Sequence, residues 1–461
     1  MQVPPGPISR ALALGPREVV SLIGGGGKTT LLFSLARELG KEGPVLVTTT
    51  TKIFFPRGER VLVAENYPEA ARQLSVSAGE KGYIVLGQRV KEGKLWGVPP
   101  AWIEALRDYF PYILVEADGS QGRPLKAHAP HEPVLPPSSS LVVILAGASA
   151  LGRPFSDEYV HRSQLMAQVT GLEPGGTIRP WLVARAWQEM CALAARAVPR
   201  ARLVCLLNQA DTVKEREENL AWIKGLGPWG QERVLVGGLK PRVNLVPWAD
   251  FSPPSLTAVV LAAGSSQRLE GRNKLLLPWQ GKTVIRQVVE NTLAAMAEVV
   301  VVTGYQAERV EGALEGLPVK IVHNPDYPAG QATSLRRGLQ AVGPDKNRGI
   351  MFVLGDQPLV PPALLKTLAL AFTLEEPLAL YPRYQGKRGN PVLFDRRTFP
   401  ALAGVAGDQG GRQVLARLGE GARAIDTICP GVIRDIDTPQ DLEELQGFLY
   451  TPTSSYCLLK D

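Results

Sequence analysis

Short apolar runs alternate along the whole chain with longer stretches in which apolar positions recur at helical spacing. The apolar runs are typical of buried strands, and the stretches between them are typical of amphipathic helices. In chain order the strand-like runs are EVVSLIG, PVLVTTT, YILVEAD, LVVILAG, ARLVCLLN, TAVVLAAG, EVVVVTG, VKIVHN and GIMFVLGD. This alternation predicts the α/β class, with parallel sheets that are covered by helices on both faces.

The pattern lapses in a proline-rich stretch near the middle of the chain. This stretch, NLVPWADFSPPSLT, runs from Asn244 to Thr257, and we place a domain boundary near Pro254. A chain of 461 residues is also too long for one typical hydrophobic core. We therefore expect two α/β domains with different motifs, one over residues 1–250 and one over residues 256–461.

Composition narrows the class of protein. Hydrophobic residues make up 45% and charged residues 21% of the chain, as in soluble globular proteins. The chain contains no run of about 18 apolar residues, and its first segment, MQVPPGPISR, lacks the apolar stretch of a secretory signal. We expect a cytoplasmic protein that has no membrane partner.

The cysteine pattern and the net charge limit the kinds of ligand that we expect. The cysteines Cys191, Cys205, Cys429 and Cys457 form no C-x-x-C pair, so we expect neither a disulfide framework nor a zinc ribbon. The net charge is +7, but the basic residues are scattered rather than gathered in one run. This distribution favours small anions such as nucleotides as ligands over nucleic acid.

The stretch SLIGGGGKTT lies between a strand-like run and an amphipathic helix. The usual phosphate-loop motif G-x-x-x-x-G-K-[ST] has its first glycine six positions before the lysine, where this chain has Leu22. A flexible glycine-rich turn is therefore the alternative to a nucleotide site. The position before a helix favours the nucleotide site, because backbone N–H groups and the helix N-terminus would face an anion.

Each residue of this loop has an expected role. Lys28 would reach the terminal phosphates and Thr29 would ligate Mg²⁺. The nucleotide-binding residues that we expect are Gly25, Gly26, Gly27, Lys28, Thr29 and Thr30.

Two further motifs support a nucleotide site. The run YILVEADGS ends in Glu116 and Asp118, where a P-loop enzyme keeps a carboxylate for the metal or for its water. After another strand, Asn208 to Asp211 resemble the guanine-recognition motif N-K-x-D, with Gln209 in place of lysine. We expect Asn208 and Asp211 to bind the base, and the changed lysine weakens the case for guanine. The alternatives are a capped turn for the carboxylates and ordinary turn hydrogen bonds for Asn208 and Asp211.

Together with VTTTTKI, VEADGSQGRPLKAHAPHEPVLP and ALGRPFSDEYVHR, these motifs resemble the YqeC family, accessory proteins of selenium-dependent molybdenum hydroxylases. The resemblance extends to about Trp248. It implies a P-loop NTPase-like accessory domain that binds ATP or GTP, with NTPase activity as a further expectation. His128 and His131 lie in an irregular, proline-containing loop of this segment, and we interpret them as surface histidines.

The second half carries the stretch TAVVLAAGSSQRLEGRNKLLLP, in which a tight turn follows a buried strand. Backbone N–H groups of such a turn can wrap a triphosphate, and Arg268 and Lys274 are spaced to neutralise it. The nucleotide-binding residues expected here are Leu261, Ala262, Ala263, Gly264 and Ser265.

Carboxylates end two later segments. Asp356 follows the buried run GIMFVLGD, and Asp437 precedes a helix that Thr438 and Pro439 would begin. Nucleotidyl transfer needs a divalent cation, and carboxylates at the carboxyl ends of central strands are well placed to hold it. The alternative for Asp437 is a simple helix cap.

Loops of the second half would recognise the acceptor. The segment YPAGQATSLRRGL places Gln331 and Ser334 at the start of a helix, which suits a second phosphate, and KRGNPVLF adds Asn390. Asp408 and Arg412 follow in GVAGDQGGR. Taken singly, polar residues of this kind are usually solvated.

From about Leu256 to Phe448 the chain resembles the MobA/MocA-like molybdenum cofactor nucleotidyltransferases. The motifs that carry the resemblance are LAAGSSQR, NKLLLP, GQATSL, GDQP, GNPVLF, GDQGGR and DIDTP. The resemblance implies a Rossmann-like, GT-A-like nucleotidyltransferase domain. Relatives that use GTP tend to have L-A-G-G where this chain has L-A-A-G, so CTP is favoured over GTP.

This resemblance also implies a reaction. The phosphate of molybdenum-bearing molybdopterin would attack the α-phosphorus of CTP and expel pyrophosphate, and an apo molybdenum hydroxylase would be the client of the product. Arg268, Lys274, Asp356 and Asp437 would be catalytic, with Mg²⁺ held by the two aspartates. Two alternatives remain open: transfer to another phosphorylated acceptor, and a non-catalytic, nucleotide-regulated cofactor chaperone.

Overall fold

The computed structural model describes residues 6–77, 80–210, 233–239, 244–247, 256–264, 273–342, 347–407, 410–446, 449–450 and 457–458. The helices are α1 (Pro7–Ala11), α2 (Lys28–Leu39), α3 (Tyr67–Ser77), α4 (Pro100–Leu106), α5 (Ser163–Thr170), α6 (Pro180–Ala197), α7 (Val284–Leu293), α8 (Ala307–Ala313), α9 (Gln331–Val342), α10 (Pro362–Glu375), α11 (Phe399–Ala403), α12 (Arg412–Leu418) and α13 (Pro439–Gln446). Over these described ranges, no helix combines the length and the apolar character that crossing a membrane requires.

The strands of the first half are β1 (Glu18–Gly24), β2 (Pro44–Thr49), β3 (Lys52–Phe54), β4 (Val61–Val63), β5 (Gly82–Gly87), β6 (Arg89–Lys91), β7 (Lys94–Trp96), β8 (Tyr112–Glu116), β9 (Leu125–Lys126), β10 (Leu141–Gly147), β11 (Val160–His161), β12 (Arg202–Asn208), β13 (Arg233–Gly238) and β14 (Asn244–Pro247). Those of the second half are β15 (Leu256–Ala262), β16 (Pro278–Trp279), β17 (Lys282–Thr283), β18 (Glu298–Thr303), β19 (Lys320–His323), β20 (Gly349–Leu354), β21 (Ala379–Tyr384), β22 (Lys387–Arg388), β23 (Val392–Asp395), β24 (Ala422–Asp426), β25 (Leu449–Tyr450) and β26 (Cys457–Leu458).

The chain divides into two compact units. Unit 1 comprises Met1–Met166 and Pro174–Ser252, and unit 2 comprises Ala167–Glu173 and Pro253–Asp461. Each unit contains one large sheet together with helices, so the α/β class predicted from the alternating pattern is confirmed.

Unit 1 contains a nine-stranded sheet in the order β14-β13-β12-β10-β1-β8-β2-β5-β4. Its neighbouring strands are parallel except for the pair β13 and β14. Every residue of β1 and β10 is buried, as their continuous apolar runs predict for central parallel strands. Because Leu22 pairs with Glu116 and Gly147 pairs with Asn208, the ends of these strands meet at one edge of the sheet.

A glycine loop, residues 24–27, joins β1 to α2. Leu31, Leu32, Leu35, Ala36 and Leu39 of α2 are buried in the core of unit 1, and Gly40 caps the helix, as the apolar spacing predicts. Gly26 and Gly27 have φ values of 80° and 115°. A Cβ on Gly26 would lie 2.3 Å from the nitrogen of Gly147, and one on Gly27 would lie 2.4 Å from Nδ2 of Asn208. The backbone shape and the close approach of β10 and β12 therefore both require glycine here.

Unit 2 contains an eight-stranded sheet in the order β19-β18-β15-β20-β23-β21-β22, with β24 beside β21. Strands β19, β18, β15 and β20 are parallel, so the ends of β15 and β20 meet at one edge, where Ala263 and Asp356 follow them closely. Its core includes the rings of Phe352 and Phe394, whose centroids lie 6.2 Å apart in an edge-on arrangement.

The rest of the unit 2 sheet departs from the parallel arrangement that the alternating pattern predicts. Strand β23 runs antiparallel to both β20 and β21, and β21 forms a hairpin with β22. The hairpin turns at Gln385 and Gly386, whose φ values are 47° and 77°, the backbone that a two-residue hairpin favours. The hairpin of β21 and β22 includes the short, polar stretch YPRYQGKR, so a search for apolar runs does not find it.

The glycine loop gives a first prediction. We expect Gly27→Ala to lower the free energy of unfolding of unit 1 by about 1–3 kcal/mol, because alanine is strained at this φ and its Cβ displaces Asn208. Gly43→Ala is the matched control, since a Cβ there meets no atom within 4 Å, and it should change stability by less than about 0.5 kcal/mol. Hydrogen exchange of unit 1 peptides at increasing urea measures both. Equal stability of the two variants would contradict the assigned constraint.

Candidate functional site

Three carboxylates gather at the carboxyl edge of the unit 2 sheet. Asp356 lies two residues beyond β20, and the N–H of Ile436 donates to its carbonyl oxygen at 3.1 Å. Ile436 is fully buried and lies between Asp435 and Asp437 in the chain. The side chains of Asp356, Asp435 and Asp437 each offer an oxygen, and these oxygens lie within 4.8 Å of one another. We call these three residues the aspartate cluster.

Lys274 reaches into the aspartate cluster. Its Nζ lies 2.6 Å from Oδ2 of Asp356 and 2.7 Å from Oδ1 of Asp437. Burial alone would lower the pKa of Lys274, but the two carboxylates raise it, so the side chain is an ammonium. Buried Asn273 shapes the turn that carries Lys274, because it accepts from the N–H of Leu275 at 3.0 Å and donates to the carbonyl of Tyr305 at 3.2 Å.

The aspartate cluster fits a divalent cation. Oδ1 of Asp356 is buried and accepts no hydrogen bond from the residues that the structure describes. Partial desolvation and the carboxylates of Asp356 and Asp437 raise the pKa of Asp435, which indicates an excess of negative charge at this point. Carboxylate oxygens grouped in this way are the ligands that Mg²⁺ prefers. Lys274 and the aspartates together can bind a cation and a phosphate chain.

Asp435 is a member of the cluster that was not predicted from the sequence. The available signal was the spacing D-I-D, since an apolar residue that is buried between two aspartates directs both carboxylates away from the core. The helix cap considered for Asp437 involves its neighbours: Asp441 Oδ2 accepts from the N–H groups of Asp437 and Thr438 at 3.1 and 2.7 Å, and Thr438 accepts in return from Asp441 at 3.1 Å. The side chain of Asp437 reaches Lys274.

The turn expected to wrap the triphosphate begins beside this cluster. Ala262 and Ala263 are buried, Leu261 is half-buried, and Gly264 is exposed. The carbonyl of Ala263 accepts from the N–H of Tyr305 at 3.2 Å, which fixes the start of the turn against the end of β18. Ser265 and Arg268 lie outside the described residues.

The residues expected to bind the acceptor lie in different surroundings. Gln331 is exposed at the first position of α9. Ser334 is buried and accepts from Nδ2 of Asn324 at 2.9 Å, so it also packs within the fold. The N–H of Asn390 donates to the carbonyl of Val432 at 2.8 Å. Among the described residues, none of the three hydrogen-bonds to the aspartate cluster, and Asp408 lies outside them.

Unit 1 places a second lysine among carboxylates. Nζ of Lys28 donates to the carbonyl of Gly24 at 2.6 Å and to Oγ of Ser120 at 3.1 Å. It also lies 3.1 Å from Oδ1 of Asp118 and 3.9 Å from Oε1 of Glu116. The side chain therefore folds back along the glycine loop, at the edge where β1 and β8 end.

The two carboxylates of this group have different surroundings. Asp118 accepts from the N–H of Gly24 at 2.9 Å and is also paired with Lys126 and with His128. Burial alone would raise the pKa of Asp118, but Lys28, His128 and Lys126 hold it well below the ordinary value. Asp118 is therefore a buried anion that is already neutralised and that fixes the loop.

Burial instead raises the pKa of Glu116, which accepts from Oγ1 of Thr29 at 2.9 Å. This hydroxyl and carboxylate make the pair that better fits a divalent cation. Thr30, next along α2, is half-buried.

His128 corrects one expectation from the sequence. Its side chain is 1% exposed and contacts Asp118 through Nε2, so the interpretation as a surface histidine is wrong, whereas His131 is exposed. The irregular loop around it is held by ion pairs, because Lys126 lies 2.8 Å from Glu132, which also pairs with Arg162. Although burial opposes it, Arg162 and Lys126 lower the pKa of Glu132 to about 2.

Asn208 connects the strand β12 to the glycine loop. Its Nδ2 donates to the carbonyl of Gly26 at 2.7 Å, and its Oδ1 is buried without a hydrogen-bond partner in the part of the chain that the structure describes. The neighbouring Gln209 accepts from Oγ of Ser149 at 2.6 Å. The bond to Gly26 joins two distant segments, unlike the local turn bond considered above. Asp211 lies outside the described residues.

Comparison with known proteins matches the two halves of the chain to two different families. Residues 20–164 match the family described as YqeC protein, and residues 258–422 match the family described as MobA-like NTP transferase domain. In the first half, "Uncharacterized protein YqeC" of Escherichia coli (strain K12) is 40% identical over 164 residues, which are 35% of this chain and 64% of that protein. The match thus spans less than two thirds of that relative.

Two relatives match the second half over nearly their full length. "Nicotine blue oxidoreductase" of Paenarthrobacter nicotinovorans is 31% identical over 209 residues, 42% of this chain and 98% of that protein. "Molybdenum cofactor cytidylyltransferase" of Escherichia coli (strain K12) is 27% identical over 188 residues, 41% of this chain and 93% of that protein. The chain therefore belongs, through its second half, to the MobA-like NTP transferase family, and it joins this nucleotidyltransferase domain to a YqeC domain.

Proposed function

We propose that unit 2 transfers CMP from CTP to the phosphate of molybdenum-bearing molybdopterin and releases pyrophosphate. The observation that carries this proposal is the convergence of Lys274 with Asp356, Asp435 and Asp437 at the edge where β15 and β20 end. A lysine ammonium suits the charge of a triphosphate, and the carboxylates beside it suit the divalent cation that accompanies a triphosphate. The likeness to a molybdenum cofactor cytidylyltransferase supports the choice of acceptor and of CTP.

In this reaction a phosphate oxygen of the acceptor forms a bond to the α-phosphorus, and the bond from that phosphorus to the β-phosphate oxygen breaks. The electron pair leaves with pyrophosphate, so no protein nucleophile is required. Lys274 neutralises phosphate charge, and Asn273 holds the turn that directs it. Asp356, Asp435 and Asp437 would hold Mg²⁺, which supplies further neutralisation of the phosphates when bound. Catalysis is then positioning and charge stabilisation.

Family membership by itself leaves the reaction open, because one relative is named as an oxidoreductase. The aspartate cluster favours phosphate chemistry, since hydride transfer has no need for three carboxylates beside a lysine. L-A-A-G at residues 261–264 favours CTP over GTP. Transfer to another phosphorylated acceptor is the second candidate, because the aspartate cluster and Lys274 would hold only the cation and the phosphates and so do not select the acceptor.

For unit 1 we propose a P-loop site that binds ATP or GTP with Mg²⁺ and hydrolyses it. Three observations support this proposed site: the glycine loop ahead of α2, the burial of Lys28, and the hydrogen bond between Thr29 and Glu116. Asn208 and Asp211 would bind the base. The domain would act as an accessory in the maturation of selenium-dependent molybdenum hydroxylases, with an apo-hydroxylase as the client of both units.

The aspartate cluster gives a second prediction. Lys274→Ala and Asp356→Asn should each lower the rate of cofactor-dependent pyrophosphate release from CTP by about 100-fold or more, because the first removes a charge that neutralises the phosphates and the second removes a carboxylate that would hold the cation. Lys282→Ala is the control and should keep the rate, since Lys282 pairs with Glu290 away from the cluster. The comparison uses CTP, GTP and ATP with Mg²⁺, with and without molybdenum-loaded molybdopterin.

Wild-type rates in Lys274→Ala would reject the assignment of this site. Pyrophosphate release with a different phosphorylated acceptor only would select the second candidate. The absence of pyrophosphate with every nucleotide and acceptor would favour the cofactor chaperone over an enzyme.

The glycine loop gives a third prediction. Lys28→Ala should abolish phosphate release from ATP or GTP, because the lysine that neutralises the terminal phosphates is lost, and it should leave pyrophosphate release from CTP unchanged. Lys41→Ala removes an exposed lysine of the same unit and should change neither rate. Phosphate and pyrophosphate are measured in parallel on the full chain. Undiminished phosphate release in Lys28→Ala would refute a P-loop role for this segment.

A further inference from the structure

A small antiparallel sheet of unit 1 exposes a face of cations and aromatic rings. Its three strands have the order β3-β7-β6. The residues that point to solvent alternate with buried ones, because successive side chains of a strand lie on opposite sides. We call the outward set the basic–aromatic face; it consists of Lys52, Phe54, Arg89, Lys91, Lys94 and Trp96.

The strand register arranges this face in two rows. Trp96 pairs with Lys52 on one side and with Arg89 on the other. Lys94 pairs with Phe54 on one side and with Lys91 on the other. Each row therefore sets one aromatic ring among two cations.

The opposite side of the same sheet anchors it. Ile53 and Leu95 pair across the strands, are 5% and 0% exposed, and belong to the hydrophobic core of unit 1. The basic–aromatic face is thus the outer side of a fixed element. Phe54 is 77% exposed on it, whereas Val90, which pairs with Leu95, belongs to the opposite side of the sheet.

Three of the four cations of this face have no acidic partner among the described residues. Within the residues that the structure describes, Lys52, Arg89 and Lys94 form no ion pair, and Lys91 lies 3.8 Å from the adjacent Glu92. Nζ of Lys52 and Cζ of Arg89 each lie 3.7 Å from the ring centroid of Trp96, and Nζ of Lys94 lies 5.6 Å from that of Phe54. Cation–π contacts hold the cations close together without neutralising them.

These contacts discriminate between two kinds of anionic partner. Single-stranded nucleic acid binds such surfaces by stacking bases on open aromatic rings. On Trp96 two cations already occupy positions close to the ring, so Phe54 is left as the single open ring of this face rather than one of a row of rings. An acidic protein surface needs no stacking: its carboxylates pair with the cations, while exposed Phe54 gives apolar contact of the kind found at the centre of protein interfaces.

We infer that the basic–aromatic face is a docking surface for a protein partner whose contact surface is acidic, with Phe54 as its apolar anchor. The inference is independent of the activity proposed for either unit. Charge complementarity identifies the partner, because four cations with one nearby acid select carboxylates. A standard interface covers about 800 Å² on each side, so the face is its centre and the surrounding surface supplies the rim.

The small sheet is tied to the edge that carries Glu116. Thr49, the last residue of β2, donates through Oγ1 to the carbonyl of Glu116 at 2.7 Å. Directly after the end of β7, the N–H groups of Gly97 and Val98 donate to the carbonyls of Thr51 and Thr49 at 2.6 and 2.9 Å. A partner on the basic–aromatic face is therefore attached to the same framework as the candidate nucleotide site.

The test measures binding of acidic polypeptides to the full chain by fluorescence anisotropy at about 150 mM salt, where diffuse attraction is screened beyond about 8 Å. The probes are labelled poly-L-glutamate, a random copolymer of glutamate and tyrosine, and oligo(dT). The double variant Lys91→Glu with Lys94→Glu should weaken binding of both polypeptides by about 10-fold or more. The double variant Lys41→Glu with Lys81→Glu makes the same change in net charge at other exposed lysines and should weaken it by less than about threefold.

Phe54→Ala tests the apolar anchor separately. It should weaken binding of the glutamate–tyrosine copolymer about threefold or more and leave poly-L-glutamate unchanged, because only the copolymer offers an apolar contact. Tyr109→Ala, at a residue that is 44% exposed elsewhere on unit 1, should affect neither.

Two results would overturn the inference. Equal weakening by the two double variants would show that net charge alone attracts the probes. Tighter binding of oligo(dT) than of either polypeptide, lost in Lys91→Glu with Lys94→Glu, would assign the face to nucleic acid instead.

Discussion

Each unit of this chain holds a lysine against carboxylates at the carboxyl edge of its sheet, and both candidate sites depend on that balance of charge. Parallel strands bring their carboxyl ends together, so acidic residues at those ends are forced into proximity. In unit 1 Lys28 lies 3.1 Å from Asp118, and in unit 2 Lys274 lies 2.6 Å from Asp356. Removing either lysine would leave carboxylates facing one another, which is costly away from water.

The two groups of lysine and carboxylate side chains differ in their surroundings. Asp118 is neutralised by Lys28, Lys126 and His128, and it also accepts from the N–H of Gly24. The charge there maintains the shape of a loop. In unit 2, within the described ranges, the ammonium of Lys274 faces the three carboxylates of the aspartate cluster. The aspartate cluster of unit 2 can therefore accept a cation. In unit 1 the pair that can do so is Glu116 with Thr29.

The sequence was sufficient to predict the features that follow from strand ends. Apolar runs identify the central parallel strands, so the positions of Glu116 and Asp356 after them are predictable, and Lys274 and Asp437 do meet Asp356. The contact of His128 with Asp118 lies within an irregular loop, which periodicity does not record, whereas the D-I-D spacing was an available signal for Asp435. The hairpin at Gln385 and Gly386 was not predicted from the sequence because its strands are short and polar.

The hydrogen bond from Asn208 to Gly26 makes the two ends of the unit 1 site thermodynamically inseparable. The side-chain nitrogen of Asn208 donates to the glycine loop, while the oxygen of the same side chain has no hydrogen-bond partner among the described residues. A group that binds this oxygen and shifts the side chain changes the free energy of the loop. By reciprocity, an anion that reshapes the loop changes the affinity at Asn208 by the same factor. Under the function proposed for unit 1, selection of a base and retention of a phosphate chain would therefore be one linked equilibrium.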